Sequence, residues 1–254
     1  MLRPLVRNTS SYIKDSASFI QWTKNLEMKD EDLMVSFEVV SLYSTIPLDE
    51  SIEVIQCIND SETVDLLKTF LKSSYFSFKR KIYIQTHAVE MGSLLSPIIA
   101  NIYMEHFEQK ALKSFPYNPE EWKRSVDDVC TKWSHGMDKL ESYLTHINGL
   151  SNCVKFTIDV EKNNQLPFLD ILLAKKHGKL SSRVYRKKTH TKRYLHANSH
   201  HHPRQNVRIL KTLTTNGSSI SDLKHLKNEI NTFFKSLSIM VIIKTSLTKP
   251  STKP

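Results

Sequence analysis

The sequence predicts an α+β fold, an antiparallel sheet with helices packed against it. Three stretches carry that prediction. Leu33 to Tyr43 is an apolar, β-branched run broken by one acid, Glu38, and followed by a turn that ends in Pro47, so it reads as a buried strand. Trp122 to Trp133 folds back around Asp127-Asp128, which reads as a hairpin and therefore an antiparallel pair. Ile98 to Lys113 carries Ile98, Ile99, Ile102, Tyr103, Phe107 and Leu112, enough apolar side chains to cover a sheet.

The remaining elements follow in chain order. Residues 1–30 form a leader into a short helix, with Phe19, Ile20, Trp22 and Leu26 near helical spacing. Leu48 to Ile58 and Thr63 to Ser73 repeat apolar residues at i, i+3 and i+4 and predict two helices. Residues 75–89 alternate around Lys79-Arg80-Lys81, a hairpin with a basic turn. Met91 to Pro97 is a small-residue loop in which Ser96 suits an N-cap and Pro97 the first helical position. Met137 to Leu150 predicts a helix and Val154 to Glu161 a strand. Asn163-Asn164 turns into a strand over Leu166 to Ala174, and His177-Gly178 turns into Leu180 to Lys187. From Pro203 the chain reads as helical.

Composition bounds the function. With 254 residues, 39% hydrophobic and 24% charged, the chain suits a soluble globular protein with one large core or two modest ones. Five glycines are few, and neither GxGxxG nor GxxxxGK occurs, which argues against a glycine-rich phosphate loop. Cys57, Cys130 and Cys153 lie far apart without CxxC and read as reduced core thiols. No secretion signal is visible, and Leu237 to Ile243 is far shorter than the ~20 residues of a membrane span, so an intracellular place, nucleus or cytoplasm, is expected. The net charge of +10 is unevenly spread: residues 175–254 hold 18 Lys and Arg against Asp222 and Glu229, whereas residues 1–174 balance at −6. An acidic first part and a basic last third suit a metal-holding body and a polyanion-holding arm, with a basic disordered tail as the plainer reading for the last fifteen residues.

Three features can carry chemistry. Glu38 is costly to bury in so apolar a strand unless it is paired or binds metal, the alternative being a strand-end acid that reaches solvent. Asp127-Asp128 alone is most often a solvated turn. Together, a strand acid, a small-residue loop before a helix and a hairpin bearing Asp-Asp follow the order of the palm of template-directed polymerases, where paired acids hold two Mg²⁺ for phosphoryl transfer. Arg183 to Arg193 adds six basic residues in eleven, interleaved with Tyr185, and suits nucleic-acid phosphates unless it is a solvated basic face. His196, His200, His201 and His202 have no cysteine near them and do not read as a zinc site.

Five blocks then give a family resemblance: Val35 to Leu48, Met91 to Glu105, Trp122 to Asp128, Leu166 to Asp170, and Val184 to His196. Over residues 11–235 the chain resembles the reverse transcriptase of Penelope-like retroelements, relatives of telomerase reverse transcriptase. The resemblance implies a right-hand palm over residues 31–195 that includes the primer-grip strands. Residual fingers would occupy 1–30, a thumb-like helical region 196–237 and an unstructured tail 238–254. It implies an RNA-directed DNA polymerase that joins deoxynucleoside triphosphates to a DNA primer on an RNA template, with two Mg²⁺, or Mn²⁺ in their place. Glu38, Asp127 and Asp128 would be the catalytic metal ligands. Tyr43 would exclude a 2′-hydroxyl, with core packing as its plainer role, and Gly92, Ser93 and Pro97 would meet the nucleotide. Arg183, Arg186, Lys187, Lys188, Lys192 and Arg193 would grip nucleic acid.

The chain departs from the family at three positions: Glu38 replaces Asp, Leu94 replaces Pro, and Ser125 replaces an aromatic residue. It is also expected to be short at both ends, without the GIY-YIG nuclease that many members carry. The expectation is a truncated, impaired copy, or in the alternative a catalytically inactive nucleic-acid-binding remnant. An RNA-directed RNA polymerase fits less well, because Tyr43 would reject ribonucleotides.

Overall fold

The computed structural model describes residue 6 and residues 9–57, 61–187, 189–190 and 200–240. Mixed α and β elements around an antiparallel sheet are what the sequence predicts. The chain divides into two compact units, one of Met1–Lys14 with Lys29–Leu166, the other of Asp15–Met28 with Pro167–Pro254.

The first unit is built on a four-stranded sheet. Its strands are β1 (Leu33–Val39), β4 (Glu121–Ser125), β5 (Asp128–Trp133) and β6 (Phe156–Val160), in the order β4-β5-β1-β6. All pairs are antiparallel. Register sorts the side chains by face, because residues directly opposite in an antiparallel ladder point the same way. Arg124, Val129, Phe37 and Ile158 form one row across the sheet, and Trp122, Thr131, Val35 and Val160 another. This face is the buried one. It is covered by the long helix α5 (Ser96–Lys113) and by α6 (Met137–Gly149), whose Tyr143 lies 6.0 Å from Phe37 and 5.3 Å from Trp133, ring to ring. Helices α2 (Leu42–Thr45), α3 (Leu48–Gln56) and α4 (Ser61–Lys72) extend the same core through Leu42, Ile46, Ile52, Ile55 and Leu67. A separate two-stranded hairpin, β2 (Tyr75–Phe78) and β3 (Lys81–Ile84), follows α4.

The second unit contains α1 (Ser16–Thr23), most of a three-stranded sheet in the order β7 (Gln165–Phe168), β8 (Ile171–Lys176), β9 (Lys179–Val184), and the helices α7 (Pro203–Ile220) and α8 (Leu223–Met240). Within it Phe19 packs on Phe168 at 4.6 Å, and Asp222 accepts from the Ser182 N–H at 3.1 Å.

Two expected strand boundaries move because residues other than glycine turn the chain. The strand expected to reach Tyr43 ends at Val39, because Ser41 adopts φ +51° and starts α2. The strand expected over Leu166 to Ala174 is two, broken where Leu169 takes φ +53°. Ser96 is the first residue of α5 and not its cap; its hydroxyl turns back to the Glu90 carbonyl, and Leu95 stands at the N-cap without a side-chain bond. Of the three cysteines expected in the core only Cys130 is buried, while Cys57 and Cys153 are exposed thiols. The tail expected over 238–254 begins inside α8 at 238–240, and residues 241–254 lie outside the described residues. Among the described residues no helix is long and apolar enough to cross a membrane.

Candidate active site

The open face of the first sheet carries the acids. Ser125, Asp128, Glu38 and Thr157 form one row across β4, β5, β1 and β6, two residues along from the row of Lys123, the buried Cys130, Ser36 and Asp159. Glu38 is therefore exposed, at the solvent end of its strand, and directly opposite Asp128, whose side chain it joins on one face. Two carboxylates held this way repel each other unless a cation stands between them.

Asp127 sits in the turn itself. Val126 and Asp127 link β4 to β5 in two residues, and Val126 takes φ +60°. A positive φ at the first central position is the II′ pattern, where glycine is usual, so a β-branched residue there is strained by roughly 1–3 kcal/mol. Two hydrogen bonds hold the strained turn in place. The Val39 N–H donates to the Asp127 carbonyl at 2.9 Å, and Arg124 donates from Nη1 to the Val126 carbonyl at 3.1 Å.

Arg124 is the hub of a buried network for which the sequence gives no signal. Its Nε donates to Glu108 Oε1 at 2.6 Å and its Nη1 to Asn101 Oδ1 at 3.0 Å. Glu108 also accepts from Trp122 Nε1 at 2.9 Å and from Ser11 Oγ at 3.0 Å. Asn101 in turn donates to the Pro97 carbonyl at 2.7 Å. One side chain thus ties the acid-bearing turn to the first turn of α5. Arginine is suited to this, because its fixed fork can serve several acceptors in one plane.

Tyr43 stands on α2, half-buried and close enough to Asp127 to feel its charge. Partial burial, and then that charge, raise its hydroxyl above the ordinary tyrosine pKa, so it stays neutral in the working range. Its carbonyl accepts from the Val89 N–H at 3.0 Å. Gly92 adopts φ +104° with open space around the position of a Cβ, Ser93 Oγ accepts from the Leu95 N–H at 3.3 Å, and Leu94 is 86% exposed. Pro97 lies in the opening turn of α5.

Among the described residues no three His, Cys, Asp or Glu side chains converge closely enough to hold a metal ion, so Glu38, Asp127 and Asp128 do not form a closed cage. The donor set is nonetheless all carboxylate, which suits a hard cation such as Mg²⁺ or Mn²⁺. Mg²⁺ in nucleotide sites keeps waters and takes its remaining ligands from substrate phosphates. An open pair of acids on one face fits that mode.

Of the residues expected to grip nucleic acid, Arg183, Arg186 and Lys187 are described, and they fall in the second unit. Arg183 is exposed on β9, and Lys187 is exposed just beyond it. Arg186 is held in a two-pronged pair with Glu229 of α8, at 3.1 and 2.6 Å. Its fork therefore braces α8 and offers little to a phosphate. Lys188, Lys192 and Arg193, and His196 with them, lie outside the described residues. A cleft of about 450 Å³ opens here, lined by Asp170, Tyr185, Arg186, Lys187, His190 and Leu213 among others. His202 caps α7, its Nδ1 accepting from the Arg204 N–H at 3.2 Å.

Comparison with known proteins gives the geometry a context. Residues 2–210 match the family described as reverse transcriptase (RNA-dependent DNA polymerase). No curated protein matches the sequence. Among solved structures, the chain is similar to telomerase from Candida albicans in complex with a TWJ fragment of telomeric RNA, with 12% identity and a TM-score of 0.62 over 94% of this chain and 46% of that one. Apo telomerase from Candida tropicalis gives 13% identity and a TM-score of 0.57, over 94% and 48%. At such identity the likeness is one of fold. The chain spans about half the length of these telomerases.

Proposed function

This chain belongs to the reverse transcriptase family, and on that premise we propose that it is the polymerase of a Penelope-like retroelement, acting by two-metal nucleotidyl transfer to a primer 3′-hydroxyl. One observation carries the reading: β1 and β5 set Glu38 opposite Asp128 on an open sheet face, beside a strained turn that holds Asp127. In this reading Glu38 and Asp127 hold the divalent cations and Asp128 supplies a third carboxylate. The cations, when bound, lower the pKa of the primer hydroxyl and neutralise charge developing on the pyrophosphate. Residues 31–195 act as palm and primer grip, 1–30 as residual fingers and 196–237 as a thumb-like region.

The other residues position and exclude. Tyr43, beside Asp127, blocks the space a 2′-hydroxyl would need, which selects deoxynucleotides. Gly92 lets the backbone approach the nucleotide without a Cβ in the way, and Ser93 and Pro97 flank that approach. The exposed Arg183 and Lys187, with Lys188, Lys192 and Arg193, contact primer–template phosphates.

Three substitutions weaken the site. The extra methylene of Glu38 carries its carboxylate about one bond length forward, and a misplacement of order 1 Å can cost ~10²-fold in rate. Ser125 leaves little bulk beside Asp128 on the sheet face, and Leu94 gives up the restraint of a proline. The competing reading is an inactive remnant that only binds nucleic acid. Extension of a DNA primer on an RNA template, with deoxynucleotides and Mg²⁺ or Mn²⁺, separates the two. Slow incorporation is expected, with ribonucleotides refused; steeply salt-dependent binding without incorporation would leave the remnant.

A further inference from the structure

The hairpin of β2 and β3 is used by nothing described so far. All eight of its strand residues are exposed, among them Tyr75, Phe76, Phe78 and Tyr83, and its turn is Lys79-Arg80 with both residues at positive φ. Register divides the strand side chains into two faces: Phe76, Phe78, Lys81 and Tyr83 on one, Tyr75, Ser77, Ile82 and Ile84 on the other. On the first face Phe76 and Tyr83 stand nearly parallel, at 5.4 Å and 16°, and Lys79 Nζ lies 5.3 Å from the centre of the Phe78 ring. Residues 73–89 contain no Asp or Glu, although residues 1–174 as a whole are acidic. A solvent-facing sheet with no binding role would carry mixed charges and few aromatic rings. Every charge on this one is a cation, and the cations sit among its rings, with Ile82 and Ile84 on the other face.

Its foot is joined to the candidate site from two sides. The Gln85 N–H donates to the Ser74 carbonyl at 2.9 Å, closing the base of the hairpin. Beyond it the Val89 N–H donates to the Tyr43 carbonyl at 3.0 Å, and the Glu90 carbonyl accepts from Ser96 at the start of α5. Anything lying along the hairpin is therefore led toward Tyr43 and α5.

We propose that the Phe76–Phe78–Tyr83 face is a stacking platform for single-stranded nucleic acid, with Lys79, Arg80 and Lys81 on its phosphates. Rings two residues apart on a strand are ~7 Å from each other, about two nucleotide rises of ~3.4 Å, so a strand can lie with bases on successive rings. Stacking of this kind tolerates any base, and the flanking cations follow the backbone whatever its sequence. An acidic protein could use the cations but has no need of parallel exposed rings. The inference rests on the polymerase reading for the strand's identity as template, and not for its binding.

The test is binding of a fluorescein-labelled twelve-nucleotide oligo-uridine, and separately oligo-thymidine, by fluorescence anisotropy over a salt series. Two variants of exposed residues are compared with the wild type after circular dichroism confirms folding. Phe76→Ala with Tyr83→Ala should weaken binding about 10- to 100-fold with an unchanged salt slope, because stacking releases no counterions. Lys79→Ser with Arg80→Ser and Lys81→Ser should lower the slope of log affinity against log salt by about 2, three phosphates at ~0.7 each. Wild-type affinity and slope in both variants overturn the proposal. So does a dimer, seen in sedimentation velocity, that the aromatic variant abolishes, since the face would then join two copies. Both losses of binding in a protein that incorporates nothing would uphold the platform and sink the polymerase. A protein that extends primers while neither variant alters binding would do the reverse.

Discussion

Strands β1 and β5 carry acids at both ends of one ladder, and the two ends handle them in opposite ways. At the Leu33 end, Asp32 is fully buried and its carboxylate meets Lys132 at 3.2 Å, while Lys132 also reaches Glu120 at 2.6 Å. Here a buried acid is paired with a nearly buried lysine, which also reaches a second acid at the surface. Six residues along, Glu38 is exposed and faces a second acid, Asp128, across the ladder. A buried ion pair serves the fold, whereas two acids set opposite each other on an open face suit a cation that bridges them. Just inside the open end, Arg124 and Glu108 fix β4 to α5, so that end can stay strained without loosening the sheet.

The largest effect is expected from cutting that clamp. Glu108→Gln leaves Arg124 as a buried charge without its carboxylate and should cost about 3–5 kcal/mol, read from urea denaturation midpoints. A cost below about 1 kcal/mol would mean the clamp does not organise the sheet. Next come the ends themselves. Lys132→Met strands the buried Asp32 and should cost about 2–3 kcal/mol, while Glu38→Gln, on the open face, should stay within about 0.5 kcal/mol. Equal costs at both ends would erase the distinction.

A smaller effect is expected from pH. Burial pushes the Asp32 carboxyl up, but hydrogen bonds from Ser134, the Lys29 N–H and Lys132 outweigh it, and the pKa falls below the ordinary carboxylate value. Its stabilisation is complete above the ordinary value of ~3.9 and is lost as pH falls through the lower folded value. For Lys132 the hydrogen bond to Glu120 outweighs burial, and Asp32 adds to it, so the pKa rises. That contribution is complete below ~10.4 and is lost as pH climbs past the raised value. Burial also pushes the Cys130 thiol up to about 12, so its contribution begins to be lost above the ordinary thiol value of ~8.5. Wild-type melting temperature should therefore be flat from about pH 5 to 8 and fall on both sides. Lys132→Met should weaken the acid fall and the part of the alkaline fall above pH ~10; an unchanged profile would exclude the cluster as a cause of either.

Much of this was legible in the chain, and the gaps share a cause. Alternation in Leu33 to Val39 and the periodicity of Ile98 to Lys113 report burial directly, so the strand, the helix and the Asp-Asp hairpin could be read from them. Turns were harder. With five glycines in 254 residues, the chain reverses at Ser41, Val126 and Leu169, which carry no turn signal of their own. The Arg124–Glu108 pair was invisible for another reason. An arginine in a hairpin and a glutamate in a helix both look solvent-facing until register puts them on the covered side of the sheet. Glu38 and Asp127 could be read as candidates from spacing, but only the pairing of Glu38 with Asp128 puts two acids on one face.

In the function proposed for this chain, the open end of the ladder performs nucleotidyl transfer and Glu38 slows it. Single-turnover primer extension on an RNA template, by the wild type beside Glu38→Asp and Asp127→Ala, tests it most directly. Glu38→Asp should raise the rate by up to ~10²-fold, because the shorter arm restores the carboxylate's reach. Asp127→Ala should lower it at least ~10³-fold, about 4 kcal/mol of transition-state stabilisation, with an unchanged urea midpoint. Extension that survives Asp127→Ala, or a wild type and a Glu38→Asp variant that both bind RNA and incorporate nothing, would contradict the account.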